Sequence, residues 1–378
     1  MVDVSIIPCN SYNIGEVDNA VRKAFELIKI PKNKTVLLKP NLLGVYKSAD
    51  IVTTNPVIIE SICKILKKNK NRVLIGDSSF KDTEKTIRKS GLLELAKKYN
   101  VEIVNFDKSK QVLVKNNKAE ILKKFYLPEE ILKADYIISI PKLKTHFKTK
   151  LTCAIKNSYG MIAGTKKQYY HEVAKSEKDF CQLLLDIYQR IKADFVIVDA
   201  VVGMEGDGAV LGDAKKTNLI LASTNQIAID MVVCDIIGLD RKEVLTNKIA
   251  LDKKIFTDKI RIVGKVPKIP YKMPITYPGG FFLNKLTPPK KLSIDRLKCI
   301  LCHSCENGCP VKAIELRPYP KIDTKKCIRC FCCIEACPQI AIYLKSPFGF
   351  LNCLIKFYHF CIKLFLLIRR YKRKLRNA

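Results

Sequence analysis

The chain has 378 residues, 48% of them hydrophobic. That is enough for a full core and about two domains, which sets aside a disordered chain and a small disulfide-stapled scaffold. Its formal net charge of +32 points to anionic partners: nucleic acid, acidic lipid headgroups, or a substrate bearing phosphate or carboxylate.

Residues 1–265 alternate short apolar runs with amphipathic helical patterns. The opening "MVDVSIIPCN" has neither the basic nor the apolar region of a signal peptide, so the expectation is a cytoplasmic chain with reduced thiols. The runs "TVLLKP" (35–40), "RVLIGD" (72–77), "VEIVNF" (101–106), "YIISIP" (136–141), "FVIVDA" (195–200) and "NLILAS" (218–223) are nearly continuous in apolar character. Such runs suit strands covered on both faces of a mainly parallel sheet. Helices are expected between them at 16–29, 56–68, 83–98, 178–192 and 226–237. In the first, Val17, Val21, Ala24, Phe25 and Ile28 share one face. The alternation predicts a three-layer α/β domain. Cys9, Cys63, Cys153, Cys181 and Cys234 stand mostly in apolar surroundings and suit small core residues.

In open α/β sheets ligands collect at the carboxyl ends of strands. There the chain places "KPNLLG" (39–44), "GDSS" (76–79), "PKLKTHFKTK" (141–150), "DAVVGMEGDG" (199–208) and "STNQIAID" (223–230). The Pro-rich basic stretch 266–291 reads as an extended linker wrapping this domain.

Residues 292–344 hold a cysteine module with an internal repeat. "CILCHSCENGCPVKAIEL" (299–316) aligns with "CIRCFCCIEACPQIAIYL" (327–344) at an offset of 28 residues. Each half is C-x2-C-x2-C-x3-C-P, the run in which the fourth cysteine serves the other cluster of a [4Fe–4S] pair. The spacing assigns one cluster to Cys299, Cys302, Cys305 and Cys337, and the other to Cys327, Cys330, Cys333 and Cys309. Cys332 falls opposite Ser304 and is the spare thiol. Zinc also uses C-x2-C pairs, but two complete runs of this form fit the iron–sulfur pattern far better. The module resembles the bacterial-type two-cluster ferredoxin domain, a small α+β unit. That resemblance implies low-potential, one-electron transfer.

Residues 1–240 in turn resemble the family called domain of unknown function 362, often fused to a ferredoxin-type module. The motifs are "KPNLL", "GDSS", "PKLKTH" followed by "LTCAIKNSYG", and "DAVVGMEGDGAVLG" followed by "AID" (228–230). The family name leaves the reaction open, so the residues are read chemically. Lys142, Lys144, His146, Lys148, Lys150 and Lys156 concentrate positive charge in one loop and the helix after it, suiting a phosphate or carboxylate substrate. A solvated basic loop is the plainer alternative. His146 has an ordinary pKa near neutrality, as a general acid–base needs, though a lone histidine is often structural. Asp77, Asp199, Glu205, Asp207 and Asp230 could hold a divalent metal ion through oxygen ligands or simply balance the lysines. Lys142, Lys144, His146, Asp199 and Glu205 are the catalytic candidates, with Lys39, Asn41, Asp77 and Asn157 as substrate-binding ones. "GMEGDG" lacks the G-x-G-x-x-G spacing of a nicotinamide site, and a P-loop is missing.

Residues 345–378 hold nine Lys or Arg and no Asp or Glu. Their apolar run is interrupted by Lys356, His359 and Lys363. Cluster binding and the basic end both favour the cytoplasmic side, so a single span is disfavoured. The expectation is a basic amphipathic helix lying on an anionic membrane surface. Docking on protein is the alternative, and no nucleic-acid module accompanies the charge. The leading expectation is an iron–sulfur oxidoreductase, cytoplasmic or peripheral on the inner face of the membrane. It would pass single electrons between two [4Fe–4S] clusters, a redox partner protein or reductant, and an anionic small molecule in the α/β domain. An electron-transfer adaptor docking at the membrane or on a partner, and a redox-independent enzyme with structural or sensory clusters, are the alternatives.

Overall fold

The computed structural model describes residues 1–44, 49–80, 82–164, 166–274 and 291–345. The tail expected as an amphipathic helix, beyond Lys345, and linker residues 275–290 lie outside the described residues.

The first region supplies twelve strands in chain order: β1 (Val2–Pro8), β2 (Thr35–Pro40), β3 (Arg72–Asp77), β4 (Glu102–Asn105), β5 (Gln111–Lys115), β6 (Lys124–Pro128), β7 (Tyr136–Ile140), β8 (Lys142–His146), β9 (Lys150–Thr152), β10 (Phe195–Glu205), β11 (Asp213–Ser223) and β12 (Ile260–Val263). Ten of them form one sheet in the order β12-β1-β11-β10-β7-β2-β3-β4, with β8 and then β9 added beside β10. The β10-β7-β2-β3-β4 half is parallel throughout, and β11 runs antiparallel to both of its neighbours. The hairpin β5-β6 stands apart.

Alternation along the strands builds two cores. Val36, Leu38, Val73 and Ile75 pack with the helices Ile14–Phe25, Pro56–Lys68 and Leu92–Tyr99. Leu37, Leu74, Val196 and Val198 face the opposite side, against Glu177–Arg190 and Gln226–Ile237. These are the three layers expected of a mainly parallel α/β sheet. Pro56–Lys68 starts where Asn55 accepts from the Val57 N–H and Pro56 presets the first turn. Its ends and those of β2, β3 and Gln226–Ile237 match expectation.

Three differences have local causes. The single helix expected over 83–98 is two, Thr83–Lys89 and Leu92–Tyr99, parted at Gly91 in the left-handed region (φ 77°). The two longest strands, β10 and β11, outrun their apolar cores because their antiparallel pairing continues to Glu205 and Asp213. Finally, "PKLKTH" is a strand and not a loop. β8 pairs in parallel with β10 and antiparallel with β9, and all five of its residues are buried.

The cysteine region contributes β13 (Lys291–Ile294), β14 (Ile314–Leu316), β15 (Pro320–Ile322) and β16 (Ile342–Lys345), paired β13-β16 and β14-β15. The repeat extends to the backbone. Leu301 and Arg329, His303 and Phe331, and Lys312 and Ile340 all have positive φ, each pair 28 residues apart. A third apolar cluster joins Val52, Phe147, Met204, Ala209 and Val210 of the first region to Phe331, Ile334 and Ile342 of the second. Phe147 meets Phe331 edge-on at 4.8 Å between centroids. The module thus seats against β8 and the end of β10.

Candidate functional site

Where the cysteine module meets the carboxyl edge of the sheet, a cavity opens. Its lining draws on both regions: Lys39 and Asn41 after β2, Asp77 and Ser78 after β3, Lys144 on β8, Thr152 on β9, and Lys156, Asn157, Tyr159 and Gly160 just beyond. Lys167, His171 and Ala209 complete the α/β side, and Glu335 enters from the helix Cys332–Ala336 of the module. Four lysines thus face two carboxylates.

Each charge is held differently. Lys39 and Asp77 form a buried ion pair at 2.8 Å. Asp77 also accepts from the N–H groups of Leu42 (2.7 Å) and Ser78 (2.8 Å). Burial pushes Asp77 up and Lys39 down, and each opposes the other's shift. Asn157 ties the floor together, donating to the Lys39 carbonyl (3.1 Å) and the Ser139 hydroxyl (2.9 Å). Gly160 is required by close approach: a Cβ there would stand 2.5 Å from both Asp77 Oδ1 and Lys39 Nζ. Lys144 donates to the Val52 carbonyl at 2.6 Å. Burial, then the charges of Lys156 and Lys142, hold its ammonium well below the usual lysine range. Burial brings Lys167 down to about 8. Crowded, desolvated ammonium groups of this kind favour an anion among them.

His146 lies one step behind. Its Nδ1 accepts from the Lys148 and Thr149 N–H groups (3.0 and 3.3 Å), which leaves Nε2–H to donate to Glu335 at 3.4 Å. Burial and the nearby Lys156 take it down to about 3. His146 is therefore neutral at physiological pH and not poised near neutrality, contrary to the expectation from its ordinary value. It bridges the two regions. Glu335, raised by burial but pulled down more strongly by His146 and Lys156, sits at about 2.

The remaining candidates stand elsewhere. Lys142 and Asp199 pair at 2.9 Å with no exposure. Tyr12 donates to Asp199 (2.7 Å) and accepts from Lys142 (2.8 Å), and the Asn55 N–H closes the other Asp199 oxygen at 2.9 Å. This is a sealed structural knot outside the cavity lining. Glu205 pairs with Lys215 and Lys272 at 3.7 and 3.5 Å. Asp230 accepts the N–H groups of Ala154 and Ile155, holding the start of the short helix Ala154–Asn157. The carboxylates are thus spent on separate partners. Among the described residues no group of three or more His, Cys, Asp or Glu surrounds a site for a single metal ion. Balancing the lysines, the other expectation, is what Asp77 and Asp199 do.

Lys167, His171 and Glu335 were not expected. The first two follow the motifs at no diagnostic spacing, and Glu335 lies 189 residues from His146.

The cysteines suit the clusters. A second cavity is lined by Cys299, Cys302, Cys305 and Cys337, the set assigned from the repeat. Burial and the thiols of Cys330, Cys327 and Cys309 push Cys333 well above its ordinary value. Iron taking Cys333 as a thiolate relieves that strain on its charged form. The N–H groups of Ala313 and Ala341 donate to the sulfurs of Cys309 and Cys337, both at 3.1 Å, the kind of contact that orients cluster ligands. Cys332 is buried beside this set.

Comparison with known proteins agrees with this division. Residues 36–235 match the model of a domain of unknown function (DUF362), and residues 291–338 match a 4Fe-4S dicluster domain. The cysteine module is accordingly that of an iron–sulfur protein. The chain is 28% identical over 244 residues to the thylakoid-associated protein sll1697 of Synechocystis, covering 63% of this chain and 75% of that protein. The lactate racemase apoprotein of Thermoanaerobacterium thermosaccharolyticum superposes with a TM-score of 0.34 at 14% identity, over 57% of this chain and about half (54%) of that one. Among the described residues no helix is long and apolar enough to cross a membrane.

Proposed function

Since the chain belongs to the family of domain of unknown function 362, whose name leaves the reaction open, we propose its function from its own geometry: an oxidoreductase acting on a small anion in the cavity between sheet and cysteine module. The observation that carries this is Glu335. It lies two residues after Cys333 and lines the same cavity as Lys39, Lys144, Lys156 and Lys167. Cys309, Cys327, Cys330 and Cys333 would hold one cluster and Cys299, Cys302, Cys305 and Cys337 the other. When bound, the clusters supply single electrons.

The chain's own residues bind and orient. The lysines neutralise the anion's charge, Asn157 and Gly160 keep the Lys39–Asp77 pair at the floor, and His146 fixes Glu335 at the wall. A redox partner protein or reductant would exchange electrons at the far cluster. The test uses anaerobically reconstituted, pre-reduced protein mixed with a panel of small anions. One class should restore cluster absorbance, and Lys156→Met should slow that recovery about tenfold with iron content unchanged. Equal rates in wild type and variant for every anion would refute the proposal. Turnover surviving cluster loss would favour a redox-independent enzyme instead.

A second reading concerns location. The basic, aromatic-rich segment 345–378 and a relative named as thylakoid-associated both support peripheral binding to an anionic membrane. Flotation on vesicles containing phosphatidylserine should require residues 345–378, and equal flotation without them would end that reading.

A further inference from the structure

The cavity's unsatisfied polar atoms say more about its ligand than its charge does. Asn41 Oδ1, Thr152 Oγ1 and His171 Nδ1 are buried and have no hydrogen-bond partner among the described residues, and all three residues line this cavity. Thr152 and His171 are only 4% and 7% exposed. Leaving buried polar atoms unpaired is costly, so a set gathered around one cavity marks where a ligand's own groups belong. No hydrogen bond or ion pair among the described residues holds the Lys156 ammonium, and Glu335 is the opposite charge that acts on it most.

Size narrows the ligand. The cavity measures about 60 Å³, far below the roughly 300–1,000 Å³ of pockets that take drug-sized ligands. A cavity of that volume suits a compact ligand such as a phosphate or a two-carbon acid better than a nucleotide. Donor balance narrows it further. Lys144, with one bond to Val52, and Lys156 supply donors, whereas Asn41 Oδ1 is an acceptor and needs a hydrogen from the ligand, which on a small oxyanion is an O–H.

Resting on the oxidoreductase proposal for the same site, we infer that the ligand is a compact oxyanion carrying its own hydroxyl. Its charged oxygens meet Lys144 and Lys156, while Lys167, whose ammonium is taken up by Ser78 and Ser79, adds only its charge, and the ligand's O–H is received by Asn41. Both a protonated inorganic oxyanion and a short hydroxy acid have this chemistry.

Calorimetric titration of the cluster-loaded full chain at neutral pH separates them with two matched pairs: hydrogen phosphate against sulfate, and glycolate against acetate. At least one O–H-bearing probe should bind about tenfold or more tighter than its partner lacking the O–H, because a site built around a hydroxyl rejects the analogue without it. The pair showing the larger ratio identifies the source. Asn41→Leu should abolish the ratio, and Lys156→Met should weaken both members of the pair about tenfold, with iron content as the folding control. Equal affinities within both pairs, or no binding by any of the four, would overturn the inference. Selective binding of these probes, with no cluster reoxidation by any anion of the panel above, would leave it standing and remove the oxidoreductase proposal. Cluster reoxidation with equal affinities would do the reverse.

Discussion

Two buried lysine–aspartate pairs lie at the carboxyl edge of the same sheet and have opposite surroundings. Lys142–Asp199, at 2.9 Å, is closed on every side by Tyr12, the Asn55 N–H and the strand ladder. Lys39–Asp77, at 2.8 Å, is equally buried but borders a cavity with unsatisfied polar atoms and further lysines. A desolvated ion pair needs its remaining hydrogen-bonding capacity filled. In the first pair the protein fills it. In the second, part of the surroundings is left to a ligand. Burial of charge alone therefore does not mark a site; burial beside unfilled polar space does.

The broadest challenge to this contrast is whether the cavity truly borders a cluster. Cys333→Ser should lose half of the bound iron, while Cys332→Ser, one position away, should keep all of it. Iron analysis and the cluster absorption spectrum check both, and equal loss in the two variants would undo the repeat-based assignment. Next come the pairs themselves. Lys142→Met leaves Asp199 charged, buried and sealed, and should cost about 3–5 kcal/mol in denaturant unfolding. Lys39→Met leaves Asp77 beside the cavity, where water and the charge of Lys167 compensate, and should cost about 1–3 kcal/mol. Equal losses would mean the two pairs are not different in kind. Gly160→Ala drives a methyl onto the Lys39–Asp77 pair and should cost about 1–3 kcal/mol as overpacking. It should also abolish anion binding in calorimetry.

The contrast also explains what could be read from the sequence. Strands with continuous apolar runs, such as β2 and β3, and helices with clear caps, such as Pro56–Lys68, were legible to the residue, because burial on both faces and the N-cap write themselves locally. Lys39, Asn41, Asp77, Lys144 and Asn157 were legible as cavity residues because ligand sites collect at strand ends. β8 was not. A strand reading "KLKTH" has polar residues where a core strand has apolar ones, and only the cavity and the docked module account for their burial. For the same reason Lys142 and Lys144, two residues apart, could not be told apart. One points into the knot and the other lines the cavity, a division set by Tyr12 and Glu335 from distant parts of the chain.

The smallest expected effect follows from His146 and His171, which belong to the cavity side. Burial, then the charge of Lys156, holds His146 at about 3 in the folded protein; its ordinary value is about 6.5. Burial, then Lys148, lowers His171 in the same direction. Between about pH 6.5 and 3 the unfolded chain therefore binds protons that the folded chain refuses, and stability falls as acid is added. His146 should account for about 1 kcal/mol of loss between about pH 6.5 and 5.5, above the range where ordinary carboxylates titrate, and His171 adds loss in the same direction. The unfolding midpoint should thus drop across that window, and His146→Gln with His171→Gln should flatten the slope. The knot around Lys142 contains no histidine, so Tyr12→Phe should lower the midpoint at every pH without changing the slope. A loss of stability with acid that survives the double histidine substitution, beyond the opposite contribution of Asp230, which burial holds up at about 6, or a slope that Tyr12→Phe alters, would place the acid-sensitive charge on the sealed side and reverse the contrast between the two pairs.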